Sequence, residues 1–250
     1  EVSRVLVMEQ ELREHWTVTS TRMAVLTNAN KTLSRKRARS TDLETGFAAI
    51  GGVDLNGWSL ELRLEDESAK LSVPGAFRDF PRQQAASLID RTIRFRPAAR
   101  LFDWQQGNRD RLDIGSLMQQ GWASFLIPPA QVESNASSIL KGTDELTLWG
   151  RGRINVFAAS PDVIGSAWQG LLGTFPPRSI MEASAARPRP NWQELVRELD
   201  LRQDQLQKVN RWFTTGSEAF SLELQCTRGD RREIYLFVDS PNQAAGFRLQ

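Results

Sequence analysis

The chain of 250 residues contains a single cysteine, Cys226, and a single histidine, His15. One cysteine cannot form a disulfide within the chain, and it supplies neither a cysteine-rich zinc site nor a redox pair. One histidine excludes a histidine-cluster metal site, and a conventional Ser-His-Asp triad would depend on His15 alone. The simplest role for Cys226 is that of a small buried core residue. These shortages weigh against enzyme mechanisms that use sulfur or imidazole groups.

Long apolar runs and a strong excess of one charge are also missing. No window holds the roughly 20 apolar residues that a membrane span requires, and the segment from Glu1 to Arg13 lacks the pattern of a secretory signal. The formal net charge is only +2, so the composition does not demand a nucleic-acid partner. Because the chain begins with Glu rather than Met, we expect that an upstream piece, such as a membrane anchor, has been removed.

The first 40 residues are polar with scattered apolar side chains. This pattern predicts a helix of uncertain continuity, because the segment from Thr17 to Thr21 is a poor helix former. The region ends in a basic cluster from Arg35 to Arg39. Such a cluster could contact phosphate or lipid headgroups, and a solvated, mobile loop is the alternative.

Alternation of apolar and polar residues predicts several strands. Residues 58–64 alternate with a period of two, and residues 70–73 read as the return strand of a hairpin. Alternation resumes at residues 220–226, and the apolar run at residues 234–238 is typical of a central or covered strand. Residues 245–249 add a final strand. The sheet is therefore expected to be antiparallel.

Between Phe77 and Phe213 the apolar period is helical. One helix is indicated near residues 85–93, and Asn191 with Glu194 three residues later resembles the capping box that begins another. The predicted class is α+β, with one α/β domain formed by residues 1–76 and 214–250. An all-helical domain of residues 77–213 is expected to interrupt it.

The most distinctive stretch is a glycine-punctuated turn that leads into a capped helix. Its two glycines permit a tight backbone, and a serine followed by proline predicts an N-cap and the first helical position. Such a turn is similar to those of helix-hairpin-helix and SAM-like helical modules, some of which bind nucleic-acid backbones through loop amides. A helix-packing turn without a ligand is the alternative. The residues that define it are Gly150, Gly152, Ile154, Asn155, Ser160 and Pro161.

Three stretches, at residues 64–71, 146–156 and 216–222, are similar to segments of one protein family. The first resembles an acidic segment before a Gly-Lys-Leu-Asn stretch, the second a Gly-x-Ile-Asn-Val-Asn-Thr-Ala stretch, and the third a Ser-x-x-Phe strand entrance. The family is the K-type minor pseudopilin of the bacterial type II secretion system, general secretion pathway protein K. The order of strands and helices also matches. Ser72 and Phe157 stand where the family usually has asparagine.

The resemblance implies a pilin-like domain, made of an N-terminal helix and an antiparallel sheet, with a large SAM-like or helix-hairpin-helix-like helical insert. It implies a non-enzymatic subunit at the tip of the pseudopilus, in complex with the I-type and J-type minor pseudopilins, that helps to initiate assembly. An upstream hydrophobic helix would anchor the protein in the inner membrane, with the globular part in the periplasm. Neither nucleic acid nor a small-molecule substrate is expected on this interpretation.

Some members of this family bind calcium in the helical domain, so the resemblance makes calcium a candidate cofactor. The nearest oxygen-rich cluster in the chain is Asp103, Asn108, Asp110 and Asp113. Its spacing fits no EF-hand loop, and solvated surface carboxylates are the alternative interpretation. The sequence therefore gives only weak metal candidates, Asp103, Asp110 and Asp113.

Other functional hypotheses remain at this point. The glycine turn fits a nucleic-acid-binding helix-hairpin-helix module, and the whole chain fits a related type IV pilus-like assembly component. A hydrolase could use the paired carboxylates of Glu65 and Asp66, or of Asp110 and Asp113. No spacing in the sequence orients a nucleophile, a base and an oxyanion donor, so the hydrolase hypothesis is the weakest.

Overall fold

A computed structural model of the chain describes residues 2–39, 48–55, 57–93, 145–182, 189–241 and 243–249. The chain forms two compact units. The first comprises residues 1–67 and 219–250, and the second comprises residues 68–218. The predicted α+β class is confirmed, because the first unit contains an antiparallel sheet and helices occur in both units.

The described helices and strands are numbered in chain order. The helices are α1 (Val2–Thr27), α2 (Ala29–Arg39), α3 (Val73–Asp79), α4 (Arg82–Ile93), α5 (Pro161–Leu172), α6 (Arg178–Met181), α7 (Trp192–Arg197) and α8 (Gln203–Trp212). The strands are β1 (Ala48–Leu55), β2 (Trp58–Asp66), β3 (Leu71–Ser72), β4 (Leu146–Thr147), β5 (Ile154–Asn155), β6 (Phe213–Thr214), β7 (Phe220–Arg228), β8 (Arg231–Ser240) and β9 (Gln243–Leu249).

The first unit is built on a five-stranded sheet in the order β1-β2-β7-β8-β9, in which all neighbours are antiparallel. Alternating side chains of β2 and β7 form one apolar face, because successive residues of a strand point to opposite sides. Helices α1 and α2 bury this face. Cys226 is part of this core, as predicted. The buried core residues are Val18, Leu26, Ala29, Leu33, Trp58, Leu60, Leu64, Phe220, Leu222, Leu224, Cys226 and Phe237.

The second unit is inserted between two neighbouring strands of this sheet. Strand β2 ends at Asp66, opposite Phe220 of β7. Just beyond, the Glu67 amide donates to the Ala219 carbonyl at 3.0 Å, and the Ser221 hydroxyl donates to Glu67 Oε1 at 2.5 Å. The chain therefore leaves and re-enters the first unit at adjacent points, which is the geometry that tolerates an inserted unit.

Helix α5 lies in the core of the second unit. It begins where the sequence predicted, because Pro161 is its first residue and the Ser160 hydroxyl accepts a hydrogen bond from the Val163 amide at 3.2 Å. Trp168 is almost fully buried and its ring centroid lies 5.8 Å from that of Phe213. Helices α4 and α8 pack against α5. The Ser-Pro signal thus places a helix whose apolar face forms the centre of the unit.

The predicted hairpin of residues 58–64 with residues 70–73 is wrong. Strand β2 instead pairs with β1, which the sequence did not predict, and β3 pairs in parallel with β4. Residues 67–69 form a 3-10 turn, and the Ser72 hydroxyl then accepts from the Gly75 amide at 3.1 Å as the N-cap of α3. The capping interaction begins a helix at the point where the return strand was expected.

The inserted unit also differs from its prediction. It is not all helical, because residues 71–72 pair with residues 146–147 and residues 154–155 pair with residues 213–214. The expected boundaries at residues 76 and 214 fall inside the second unit. These short parallel pairs join residues 71–72 and 213–214, which lie near the expected boundaries, to segments inside the insert. The second unit therefore extends beyond both expected boundaries.

The first helix is continuous through the threonine-rich segment. The Thr17 hydroxyl donates to the Arg13 carbonyl at 2.8 Å, and Thr17, Val18 and Thr21 are buried on the side that faces the sheet. Tertiary burial outweighs the weak helix propensity of these residues. The predicted mobile loop from Arg35 is also wrong, because these residues continue α2 to Arg39. Of the helices in the described ranges, none has the length and apolarity needed to cross a membrane.

The capping prediction at Asn191 is confirmed in part. The Asn191 side-chain oxygen accepts from the Gln193 amide at 3.0 Å, so Asn191 does begin α7. Glu194 accepts a hydrogen bond from the side-chain nitrogen of Asn191 at 3.3 Å, instead of from its backbone amide as in a capping box. The start of α7 was therefore predicted correctly, but the Asn191 atom that donates to Glu194 was not.

Candidate assembly site on the first helix

Helix α1 presents a row of apolar side chains to solvent, with Thr19 and Ser20 between its last two members. Residues spaced by three or four positions lie on one side of a helix, and the spacing of this set keeps it on one side of α1 for more than four turns. These side chains are largely exposed. They are Val5 (63%), Met8 (62%), Leu12 (57%), Trp16 (61%) and Met23 (64%). We name them the α1 stripe.

The opposite side of α1 faces the sheet. Its buried residues include Glu14, Thr17, Val18 and Thr21, of which Val18 belongs to the core. At 100° per residue these positions lie on the other side of the helix from Leu12 and Trp16 for most of its length. Helix α1 thus has one side that is buried within the unit and an apolar side that is exposed. Contiguous exposed apolar surface of this kind marks interaction sites in soluble domains.

A buried cluster of charged groups fixes how α1 lies on the sheet. The Tyr235 hydroxyl of β8 is within hydrogen-bond distance of Glu14 Oε1 on α1, at 3.1 Å, and of Glu233 Oε2 at 2.5 Å. The Arg231 side chain contacts both carboxyl groups. Arg231 Nη1 lies 3.2 Å from Glu14 Oε2, and Arg231 Nε donates to Glu233 Oε1 at 2.7 Å. Arg248 Nη2 donates to Glu233 Oε1 at 2.5 Å. Both carboxyl groups are less than a tenth exposed, so their partners replace water.

The two carboxyl groups of this cluster have opposite pKa shifts. Burial raises the pKa of Glu14, and its hydrogen bond to Glu233 raises it further. Burial also opposes ionisation of Glu233, but hydrogen bonds from Glu14, Tyr235 and Arg231 outweigh it and lower the pKa of Glu233 to about 2. Glu233 is therefore the anion that the arginines neutralise, and Glu14 is the member that more readily holds a proton.

The glycine turn is used for packing within the second unit. Gly150 and Gly152 have φ values of 83° and 82°, a region that favours glycine. A Cβ atom added at Gly152 would lie 3.3 Å from the Gly75 Cα atom and 3.4 Å from Arg78 Nη2. Glycine at residue 152 therefore meets two requirements, the positive φ and the close approach of helix α3.

Asn155 makes its hydrogen bonds within the protein. Its side-chain nitrogen donates to the Ser217 hydroxyl at 2.8 Å, and its side-chain oxygen accepts from the Phe157 amide at 3.1 Å. Its carbonyl accepts from the Ala158 and Ala159 amides at 3.0 and 2.9 Å. Ile154 and Asn155 are both buried. The centre of the turn thus holds chain segments together and has little capacity left for a ligand.

The basic residues of the turn face an acid. Arg151 Nε lies 3.9 Å and Arg153 Nη1 lies 3.6 Å from the two carboxylate oxygens of Glu218. Arg153 Nη2 also donates to the Phe213 carbonyl at 3.4 Å. A phosphate at this turn would have to compete with Glu218 for both arginines. This arrangement disfavours the nucleic-acid hypothesis.

The catalytic and metal candidates do not form a site in the described structure. Asp103, Asn108, Asp110 and Asp113 lie outside the described residues. Within the described ranges, no group of three or more His, Cys, Asp or Glu side chains is placed to hold a metal ion. Asp66 is fully buried and Glu65 pairs with Arg63, so this carboxylate pair is not presented to a substrate.

The single thiol and the single imidazole of the chain differ in their exposure. His15 is exposed on α1, whereas Cys226 is buried in the core of the first unit. Burial raises the pKa of the Cys226 thiol to about 11, and the nearby Glu14 and Glu233 add to this effect. A thiol with a raised pKa and no access to solvent is a poor nucleophile.

The α1 stripe was not recognised as a stripe from the sequence. The steps from Val5 to Met8, Leu12 and Trp16 are three or four residues and define one helical side. The signal was therefore present in the spacing. Only the structure shows that the other side of α1, through Thr17 and Val18, is the one that packs on the sheet.

Comparisons with known proteins gave a likeness among solved structures but none to a protein family or a curated protein. No protein-family model matches the chain, and a search of curated proteins found no match. Among solved structures, one chain of the GspK-GspI-GspJ complex from the enterotoxigenic Escherichia coli type 2 secretion system resembles this protein, with a TM-score of 0.46 and 13% sequence identity. The likeness covers 97% of this chain and 99% of that chain.

Replacing Gly152 by alanine should destabilise the second unit more than the same change at Gly173. Both glycines have a positive φ, of 82° and 72°, so the backbone cost of about 1 kcal/mol is shared. A Cβ atom at Gly173 would meet nothing within 4 Å, whereas one at Gly152 meets Gly75. Urea unfolding should show an additional loss of about 1 kcal/mol for Gly152→Ala. Equal losses would contradict the close packing of the turn on α3.

Replacing Glu233 by glutamine should cost about 2 kcal/mol of unfolding free energy at neutral pH, because the anion that accepts from Arg231 and Arg248 is lost. Glu14→Gln is the matched control. It should cost less, because burial raises the pKa of Glu14 and so disfavours its ionised form, whereas that of Glu233 is stabilised. Urea unfolding of the three proteins measures both effects. A larger loss for Glu14→Gln would reverse our assignment of the anion.

The contribution of Glu233 should also depend on pH. Its pKa is about 2 in the folded chain, below the ordinary value of 4.5, so its ionised form is stabilised by folding. This stabilisation is present above pH 4.5 and is lost as the pH falls towards 2. The stability difference between the wild type and Glu233→Gln should therefore shrink over that range. A difference that stays constant between neutral pH and pH 2 would contradict the assignment.

Proposed function

We propose that this chain is a minor pseudopilin of a type II secretion system, of the K type, with a structural and non-enzymatic role. The observation that supports this most directly is the α1 stripe, an apolar surface along the first helix that its own unit leaves exposed. A subunit that assembles through its first helix requires such a surface. The three sequence stretches quoted above support the choice of family.

The architecture supports the same proposal. A first helix packed on an antiparallel sheet is the pilin-like arrangement that the resemblance implies, and the second unit is inserted between β2 and β7. We propose that this inserted unit is the SAM-like or helix-hairpin-helix-like domain of the K-type subunit, with its glycine turn used for packing. A bulky insert of this kind suits a subunit that ends a fibre, because it would obstruct the addition of further subunits.

The proposed partners are the I-type and J-type minor pseudopilins, in a complex at the tip of the pseudopilus that helps to initiate assembly. The proposed location is the periplasm, with an upstream hydrophobic helix in the inner membrane. Each side chain of the α1 stripe that a partner covers fully would contribute about 1.5 to 3 kcal/mol to the free energy of association. Loss of translational and rotational freedom offsets much of this, so the anchored state should favour association.

A related type IV pilus-like assembly component would use the same helix surface and differ in its partners. The nucleic-acid hypothesis has less support, because Arg151 and Arg153 both face Glu218 and Asn155 makes its hydrogen bonds internally. Partner identity is therefore the property that an experiment should measure first.

Sedimentation velocity of the chain mixed with the ectodomains of the I-type and J-type minor pseudopilins from the same organism tests the proposal. We expect a stable species with one copy of each protein, because the α1 stripe provides a surface for a partner helix. A mixture in which this chain sediments as a free monomer at all concentrations would contradict the proposed partners.

A charge placed in the stripe should weaken this complex. Leu12→Glu introduces a carboxylate at the middle of the α1 stripe, where burial against a partner would desolvate it. Val7→Glu is the matched control, because Val7 is similarly exposed (54% against 57%) and lies on another side of the helix. We expect an affinity loss of at least about tenfold for Leu12→Glu only. Equal effects of the two changes would show that the stripe is not the contact surface.

A further inference from the structure

A cavity of about 650 Å³ lies in the second unit. Its wall is formed by helix α7, the connection to α8, helix α8 and strand β6, together with Arg153 of the glycine turn. All of these residues belong to the second unit. Protein cavities that bind small ligands usually measure about 300 to 1,000 Å³ and combine apolar side chains with a few polar groups. The size of this cavity therefore suits a ligand of that kind.

The apolar lining of the cavity includes two aromatic rings. The ring centroids of Trp192 and Phe213 lie 6.2 Å apart, and the ring planes are inclined by 50°. Val196 and Phe213 are buried, whereas Trp192, Leu201 and Leu206 are half-buried. A flat apolar group in the cavity would cover part of the surface that these half-buried side chains still expose. Aromatic rings pack well in stacked or edge-to-face arrangements, so an aromatic guest fits this lining.

The charged residues that line the cavity are Arg153, Arg197 and Asp200. Together they carry one excess positive charge. Arg151 and Glu218, which lie close to Arg153 in the structure, leave that excess unchanged because their own charges cancel. The cavity therefore favours a guest with a single negative charge over a neutral, a cationic or a dianionic guest.

Both lining arginines have hydrogen-bonding capacity that the described residues do not use. Arg197 is exposed and forms no ion pair within the described ranges. Arg153 Nε is buried and has no hydrogen-bond partner in the same part of the chain. The remaining contacts of this guanidinium are weak, because Nη2 makes a hydrogen bond of 3.4 Å to the Phe213 carbonyl and Nη1 lies 3.6 Å from Glu218. A planar carboxylate is the anion that matches the fork of a guanidinium group.

We propose that this cavity binds an aromatic carboxylate, with its ring against Trp192 and its acid group paired with the guanidinium groups that line the wall. The carboxylate belongs either to a free small molecule or to the C-terminus of a partner protein that ends in an aromatic residue. Gln193 and Asn210 are exposed lining residues whose amide groups suit a peptide backbone. The inference does not depend on the function proposed above, and the cavity lies in a different unit from the α1 stripe.

The probe is 2-naphthylacetate, and 2-naphthylacetamide, which has the same ring and no charge, is its matched control. Titration calorimetry of the whole chain should show saturable binding of the acid with a Kd below about 1 mM. The amide should bind at least about tenfold more weakly. Backbone NMR signals of residues 192–215 should shift as the acid binds. Absence of saturable binding, equal affinities of acid and amide, or shifts confined to other residues would each overturn the proposal.

Neutral variants test the role of the arginines. The double variant Arg153→Gln, Arg197→Gln should remove the preference for the acid over the amide. The control is the double variant Arg178→Gln, Arg202→Gln, which removes the same charge from exposed arginines outside the cavity wall and should keep the preference. A preference that survives the first double variant, or that is lost in the control, would overturn the proposal. Circular dichroism should show that both double variants are folded.

Filling the cavity tests its position independently of charge. Leu206 lies in the wall on α8, and Leu206→Trp places a larger side chain there. This change should weaken binding of 2-naphthylacetate by at least about tenfold, whereas Lys208→Trp, at an exposed α8 position outside the wall, should not. Asn210→Trp, at an exposed position in the wall, is a second blocking variant that does not disturb the interior. Unchanged binding in both folded blocking variants would overturn the assignment to this cavity.

Peptides distinguish the two sources of the carboxylate. A peptide of glycines with a C-terminal phenylalanine is compared with its amidated form. Tighter binding of the free-acid peptide than of 2-naphthylacetate would assign the terminus of a partner protein, and weaker binding would assign a free small molecule. Equal or tighter binding of the amidated peptide would overturn the requirement for a carboxylate. Because these experiments contain no pseudopilin partner, they succeed or fail independently of the proposed function.

Discussion

The pairing of β2 with β7 is the interaction on which the first unit depends. These strands lie side by side in the sheet although the whole second unit separates them in sequence. Their alternating leucines form the face on which α1 and α2 are buried, so the apolar burial that stabilises both helices requires this ladder. Closing so long a loop is tolerable because the entropic cost grows slowly, by about 0.6 kcal/mol for each doubling of length. The hydrogen bonds of Glu67 to Ala219 and Ser221 lie at the point where the loop closes.

The buried charged cluster determines which side of α1 remains exposed. A slip of α1 by one residue would rotate it by about 100° and would remove Glu14 from Tyr235 and Arg231. Buried carboxyl groups would then lose partners, which is strongly unfavourable in a site that excludes water. The cluster thus fixes the rotation of the helix, and the orientation of the stripe follows from it.

The most distinctive motif of the sequence serves the interior of the protein. In the glycine turn, positive φ angles, the approach of Gly152 to Gly75 and the hydrogen bonds of Asn155 are all needed to pack the second unit. Resemblance to a ligand-binding turn came from the same glycines and the same asparagine. A motif that resembles a ligand-binding turn can therefore be structural, and the exposed α1 stripe lies on residues with no motif at all.

Local patterns were enough to predict the strands at 58–64, 220–226, 234–238 and 245–249 and the burial of Cys226, because these depend on alternation along the chain. The start of α5 at Pro161 was also predicted, because it depends on a capping residue close in sequence. Strand β1 was missed because its two glycines weaken the alternation signal. The hairpin partner of β2 was wrong because pairing is decided by contacts between distant segments. The apolar spacing of the α1 stripe was determined by the sequence itself. Its exposure was decided only in the tertiary structure, because the partners that hold the other side of α1 on the sheet, Glu233 and Tyr235, are more than two hundred residues away along the chain.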